Sequence, residues 1–463
     1  HLLTGLARRG QDHPMGASLS PLGPLRLALP LRRRVRGGVL LLALVVVGGG
    51  AFQFYAQRRT AEGEEHLGGA RARLEASIVE APGLDRLAAS SALSHLVRAR
   101  ERGIHNVESE ALLVRASVLV ALQGGDLPSA QRTLAAAVEL HGWDAETHLL
   151  AAEIARRGVR LTEAEQHVAH TLRLVPQHAR GLMAAASLAL EVGDPQASER
   201  YARALVRREP EASRAHAVLG EALEQQRRFE GAEHAYREAL RLNQRDAVGH
   251  MDLARVLRVR GDLAGAEASY SQALELAPTD PAAFLGRGLV RMEQGQGPGA
   301  ASDLERARQL APRDASVWVA LGDLRRAASD LDAAVEAYRH ALTLDPGLVM
   351  VEVRLGNTHV ARGQLDQALG AFDAAIERAE QLSEAHNGRG VALMYLGREA
   401  EARASFERAA ELSPSDPHPL LNLGILGERS GHRDEAERAF QAALDRDPSS
   451  EDALERLLAL RAG

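Results

Sequence analysis

Residues 318–346 read WVALGDLRRAASDLDAAVEAYRHALTLDP, and the order of small and large side chains in this stretch decides the fold. Ala334, Tyr338 and Ala341 are spaced four and then three residues apart, which puts all three on one face of a helix. Small, large and small side chains on one face let a neighbouring helix come close and interlock. Upstream, Leu321-Gly322 marks another helix. Its glycine gives up roughly 1 kcal/mol of helix propensity, a loss that close helix contact offsets. Pro346 ends the stretch and prepares a fresh helix start.

The same pattern recurs on both sides of this stretch. The first small residue returns as Ala130, Ala164, Ala197, Ala232, Ala266, Ala300, Ala334, Ala368, Ala402 and Ala436, at steps of 34, 33 and 35 residues and then 34 six times running. Four residues after each comes a bulky one, from Leu134, Val168 and Tyr201 to Phe372, Phe406 and Phe440. Leu-Gly-like pairs recur at Leu219-Gly220, Leu355-Gly356 and Leu423-Gly424, turn residues at Gly125-Asp126, Gly261-Asp262, Gly295, Gly363, Gly397 and Gly431, and prolines at Pro176, Pro210, Pro278, Pro312, Pro414 and Pro448. Each period is therefore helix, tight turn, helix, tight turn. A repeat array of this kind points to a binding surface rather than a catalytic pocket.

The period, with Trp318, Leu321-Gly322, Ala334, Tyr338, Ala341 and Pro346, resembles the tetratricopeptide repeat (TPR) family over ten repeats, residues 111–450. Local departures are Thr171 in the second repeat, Arg325 in the seventh and Glu380 in the eighth. The resemblance implies an all-α fold, a right-handed superhelical α-solenoid of helix-turn-helix repeats. Residues 451–463, with Leu454, Leu457, Leu458 and Leu460, read as a C-terminal capping helix.

With aromatic residues at only 3% and no cysteine, the chain does not call for one large globular core, and thiol nucleophiles and zinc-thiolate sites are excluded. All 56 basic residues are arginine, so a Walker A lysine, a Schiff-base lysine and a lysine general base are excluded too. Residues 1–36 are proline- and arginine-rich and read as disordered. Gly37 to Ala56 are twenty uncharged residues with Arg32, Arg33, Arg34 and Arg36 before them, which predicts an N-terminal transmembrane helix or a signal sequence. On that reading the protein is single-pass in the cytoplasmic membrane with the repeats outside, the alternative being repeats in the cytoplasm. Residues 57–110 read as a linker and capping helices on either side of Pro82-Gly83. Residues 60–463 carry 47 arginines against 61 acids, an acidic balance that argues against nucleic acid.

Motifs for chemistry are weak. Gly295-x-Gly297-x-x-Ala300 has the letters of a dinucleotide loop but no strand before it, and Arg260-Gly261-Asp262 sits where the repeat places its turn. His167 and His170, one helical turn apart with Glu163 a turn earlier, form a candidate metal set that lacks a recognised metal signature, and a solvated pair is the plainer reading. No catalytic residue, cofactor or metal is expected.

The resemblance implies that the leading helices line a concave groove. In repeats eight to ten this face carries Arg354, Asn357, Asn387, Met394, Tyr395, Asn422, Glu428 and Arg429, whose three asparagines suit a peptide backbone. Repeats five and six offer Met251, Arg255, Arg258, Leu285, Leu289 and Met292, a basic and apolar patch suited to an acidic or apolar segment. The family's carboxylate clamp needs lysines together with asparagines, so it fails here in its usual form. The sequence reads as a non-catalytic, membrane-tethered scaffold that binds peptides or partner proteins for an envelope assembly, secretion or polysaccharide-export machine. The alternatives are a cytoplasm-facing regulatory adapter and the substrate-recruiting subunit of an enzyme on another chain.

Overall fold

The computed structural model describes residues 61–62, 64–70, 84–102, 113–118, 120–121, 125–141 and 143–462, and every regular element among them is helical. They fall into two compact units, one running to Leu242 and one from Asn243. The first holds α1 (Leu84–Glu101), α2 (Leu127–His141), α3 (Ala145–Arg157), α4 (Leu161–Leu174), α5 (Ala179–Glu191), α6 (Pro195–Arg208), α7 (Ser213–Gln225) and α8 (Phe229–Leu242). The second begins with α9 (Ala247–Val259), α10 (Leu263–Leu276), α11 (Pro281–Glu293), α12 (Gly297–Leu310), α13 (Ala315–Ala327), α14 (Leu331–Leu344) and α15 (Val349–Ala361). It continues with α16 (Leu365–Arg378), α17 (Ser383–Tyr395), α18 (Glu399–Leu412), α19 (His418–Arg429), α20 (Arg433–Arg446) and α21 (Glu451–Ala462).

Local chemistry sets the helix ends. Asp194, Asp246, Asp262 and Asp330 precede helices and accept a backbone N–H three residues on, at 2.8 to 3.2 Å, which satisfies a donor the helix start leaves bare. The turn between the two helices of a repeat needs one left-handed residue. Glycine supplies it at Gly193, Gly261, Gly295, Gly363, Gly397 and Gly431, while Val159, Arg227 and Ser329 adopt it with φ of 57° to 63°.

Packing follows the small–large–small face. Tyr236, Tyr338, Phe372, Phe406 and Phe440 are at most 1% exposed and lie under a glycine of their own repeat's leading helix: Gly220, Gly322, Gly356, Gly390 and Gly424. A Cβ at Gly356 would sit 2.7 Å from the Phe372 ring, and one at Gly388 of the next leading helix would also strike that ring. Phe372 is thus wedged between two backbones, and within each unit successive helices pack side by side, from α2 to α8 and from α9 to α21.

The third repeat corrects the expected ladder by one residue. Ser198, Ala202 and Leu205 are the most deeply buried residues on α6, at 0%, 0% and 2% exposure, with Ala197 at 8%, whereas Tyr201 and Ala204 are only half-buried. Ser198 stands 34 residues from both Ala164 and Ala232, so the steps of 33 and 35 become two of 34. The small residues at Ala197 and Ser198 are adjacent, and only the helix start at Pro195 chooses between them.

The expected N-terminal transmembrane helix, and with it a single-pass protein of the cytoplasmic membrane with the repeats outside, is also corrected. Among the described residues no helix is long and apolar enough to cross a membrane. Gly37 to Ala56, on which that expectation falls, lie outside the described residues, as do residues 1–36 and Pro82-Gly83. At the other end α21 buries Ala453 and Leu457 and packs on Phe440 and Ala436, while Leu454 and Leu458 face outward.

Candidate partner-binding surface

Three leading helices of the second unit, α15, α17 and α19, carry the asparagine set. Asn422 Nδ2 donates to Asn387 Oδ1 at 2.9 Å, which links successive leading helices by a side-chain amide pair. Each amide keeps further donor and acceptor capacity for a backbone laid across them. About two turns further along, the Arg429 guanidinium stands 5.5 Å from the ring centroid of Tyr395. Tyr395 is 56% exposed although it is aromatic, and Arg429 and Asn357 are exposed as well. An amide pair beside a cation-capped ring offers hydrogen bonds and a flat apolar plate on one surface.

Arg354 is half-buried and ion-paired with Asp323 of α13. Asp323 also accepts from the Tyr338 hydroxyl at 2.6 Å. Burial, then this carboxylate, raise the Tyr338 phenol well above its ordinary value, so it stays a donor. Glu428 is held by Arg456 of α21 at 2.9 Å. Met394 departs from the expected groove: it is 6% exposed and lies in the core with Leu393, Phe406 and Leu426. Its long side chain fills the seam behind α17 instead of facing a ligand.

The second candidate set is divided by the structure. Leu285, Leu289 and Met292 on α11 are half-buried against Leu304, Val317 and Leu321, and Met251 packs against Leu274 and Ala283. Arg255 is exposed and pairs with Asp252 at 3.0 Å, and Arg258 faces Glu293 at 3.7 Å. These apolar residues are engaged between repeats, so the asparagine surface is the stronger candidate.

The candidate metal set is dispersed. Glu163 pairs with Arg160 at 2.7 Å, and the His170 Nδ1–H donates to the Gln166 carbonyl at 2.7 Å. His167 meets His148 of α3, with 3.0 Å between the two Nδ1 atoms. Among the described residues no three His, Asp or Glu side chains are grouped as a metal site requires.

Sequence reasoning missed a polar seam. Arg287 grips Asp303 with two bonds of 2.8 and 2.9 Å and donates to Ser271 Oγ at 3.1 Å, and Arg291 joins Asp303 and Glu267 at 2.8 Å each. Asp303 is 3% exposed. Arg389 repeats the device with Asp373 and Ser405. The available signal was an arginine just before the leading-helix glycine, in the slot that Leu321 and Leu355 occupy.

A family model described as tetratricopeptide repeat matches residues 115–179, 183–246, 224–281, 285–349, 353–417 and 421–461. The chain belongs to the tetratricopeptide repeat family. Among solved structures it is similar to YrrB, described as a TPR protein with an unusual peptide-binding site, at 23% identity and a TM-score of 0.34 over 41% of this chain and 97% of that one. It is similar to the human IFIT1 dimer with m7Gppp-AAAA, at 15% identity and a TM-score of 0.50 over 80% and 94% of the two chains. The yeast Tom70 structure gives 15% identity and a TM-score of 0.44 over 89% and 96%. No curated protein matches the chain. The likeness to the IFIT1 structure supports the fold alone. The family's repeats support a protein-interaction scaffold.

Proposed function

We propose that this TPR protein is a non-catalytic scaffold whose second unit binds an extended segment of a partner protein across α15, α17 and α19. One observation carries the reading: Asn387, Asn422, Tyr395 and Arg429 join two successive leading helices, and Tyr395 and Arg429 stay exposed when the bulky residues of the repeat ladder are consumed by packing. Paired amides recognise a peptide backbone without selecting its side chains, and the Tyr395 ring supplies the contact area that concentrates binding energy. The sequence of the segment is set by what lies beside it, where the exposed Arg429 favours acidic side chains.

The test is to select peptides by display against the full chain and then measure their affinity by titration. Asn387→Ala with Tyr395→Ala is expected to weaken the selected peptides at least about tenfold, as loss of an interface aromatic does. Arg255→Ala, in the other candidate set, is expected to change little. Selected peptides that bind the double variant as tightly as the parent would overturn the proposal.

A further inference from the structure

The fourth residue of a leading helix has a recurring task. His216, His250 and His386 each turn Nε2 to a backbone carbonyl six residues earlier, at 2.9, 3.1 and 2.9 Å, and Trp318 Nε1 does the same at 2.9 Å. His148 holds the equivalent place on α3 but is 9% exposed and turns Nδ1 to His167 Nδ1 of α4, 3.0 Å away. Trp143 stacks on both rings, with centroids at 4.7 and 5.2 Å and interplanar angles of 25° and 22°. His170 stacks on His148 at 4.9 Å.

A hydrogen bond between two imidazole nitrogens needs one donor and one bare lone pair, so at least one ring must be neutral. With both rings protonated, two N–H groups face each other across the contact. We infer that the His148–His167 contact is a proton-operated latch in the second repeat: it ties α3 to α4 at neutral pH, and protonation of both rings opens it and releases Trp143.

The surroundings leave an imidazolium poorly supported. From the α3 side the facing groups are His148 and Asp144, and Asp144 is engaged in capping, accepting from Thr147 N at 2.7 Å. From α4 and its preceding turn they are Glu163, His167, His170, Arg173 and Arg160, and Glu163 is held by Arg160. Burial, then His167 and His170, hold His148 below the ordinary histidine value of 6.5, and burial does the same for His167 against the pull of Glu163. The folded chain therefore binds fewer protons at these rings than the unfolded chain. Their contribution is complete above about pH 6.5 and declines as the pH falls below it.

The chain has two tryptophans, so Trp318→Phe leaves Trp143 as the reporter. Its emission is followed in the full chain from pH 8 to 4.5 with a chelator present, so that a departing metal ion cannot produce the transition, and far-UV circular dichroism reports whether the helices persist. The expected result is a reversible emission change with a midpoint below 6.5 and little loss of helix. His167→Gln should remove about half or more of the amplitude, because no imidazolium N–H then opposes His148 across the 3.0 Å contact, His170 being left as the remaining histidine beside it. His216→Gln, at an equivalent position with a carbonyl partner, should leave the transition unchanged. If His167→Gln fails to fold, histidine-selective nitrogen NMR of the Trp318→Phe chain decides, with the two rings of the contact titrating below 6.5 and coupled to each other. Flat Trp143 emission over this range, a transition that His167→Gln leaves intact, or two rings titrating at ordinary values would overturn the latch.

Discussion

The second repeat and the ninth share one backbone plan and fill it in opposite ways. In the ninth, Phe406 is fully buried under Gly390 and the turn is made by Gly397 with φ of 75°. In the second, Val168 lies under Ala152 and the turn is made by Val159 with φ of 57°. A large residue over glycine and a medium one over alanine occupy similar volume, so the repeat conserves the sum across the seam rather than either partner. The third repeat departs from the rule, since Ala186 and Ala202 together fill less volume, and the partly buried Tyr201 packs beside them. Aromatic–glycine seams, as at Phe372, concentrate packing energy in one ring. Alanine–valine seams spread it over several residues, and the second repeat is the one that carries the histidine cluster.

The largest expected effect breaks the aromatic seam outright. Phe372→Ala removes a fully buried ring that touches the glycines of two leading helices, Gly356 and Gly388, and should destabilise the second unit by about 3–5 kcal/mol. Val168→Ala in the second repeat should cost about 1–3 kcal/mol, since fewer buried methyl groups are lost. Urea unfolding followed by circular dichroism, with a probe in each unit, measures both. Equal losses at the two sites would remove the distinction between concentrated and spread seams.

Next come the arginines that replace the leucine before the glycine. Arg287→Leu leaves Asp303, 3% exposed, with only Arg291, and should cost about 2–4 kcal/mol because a buried carboxylate loses its bidentate partner. Arg389→Leu releases Asp373, which is 56% exposed and can turn to water, so its effect should stay within about 1 kcal/mol. Thermal unfolding of the two variants side by side tests whether burial of the acid, not the arginine itself, sets the cost.

These contrasts also show what could be read from residues alone. Ala232, Ala266 and their successors gave the period and the buried face because a helix fixes which side chains share a side. The register at Ser198 was hidden because two small residues adjoin and helix starts depend on capping. Asn387, Asn422, Tyr395 and Arg429 were legible as positions on leading helices, whereas the Asn387–Asn422 bond and the Tyr395–Arg429 stack join helices 34 or 35 residues apart and required the fold. Met394 could not be assigned inward without knowing how deeply α17 is seated. Arg287 with Asp303 escaped because an arginine in a leucine slot looks like an exposed residue until its acid partner arrives from another helix.

A smaller effect sharpens the seam rule. Gly390→Ala and Phe406→Val together write the second repeat's pair into the ninth. Singly, the alanine should cost about 1–3 kcal/mol because its Cβ meets the Phe406 ring, and the valine about 1–3 kcal/mol because it leaves space. If the sum of the two partners is what the repeat conserves, the double variant should lose less than the two single losses added, by about 0.5 kcal/mol or more in a double-mutant cycle. Strict additivity would show that the two seams differ by accident of sequence rather than by compensation.

The smallest effect concerns the turn, and its sign is opposite. Val159 is 82% exposed, so its side chain gains little from burial, yet it holds a left-handed backbone in which a β-branched residue is strained. Val159→Gly should stabilise the second repeat by up to about 1 kcal/mol: the strain is relieved, and the greater freedom of unfolded glycine takes back part of the gain. Gly397→Val in the ninth repeat, where a Cβ would meet nothing within 4 Å, isolates the backbone term and should destabilise by about 1–2 kcal/mol. Hydrogen exchange of the amides in α3 and α4 reads the first change locally. If Val159→Gly lowers their protection, the valine contributes something its exposed side chain does not show, and the second repeat's departure from the ninth is a matter of function and not of packing alone.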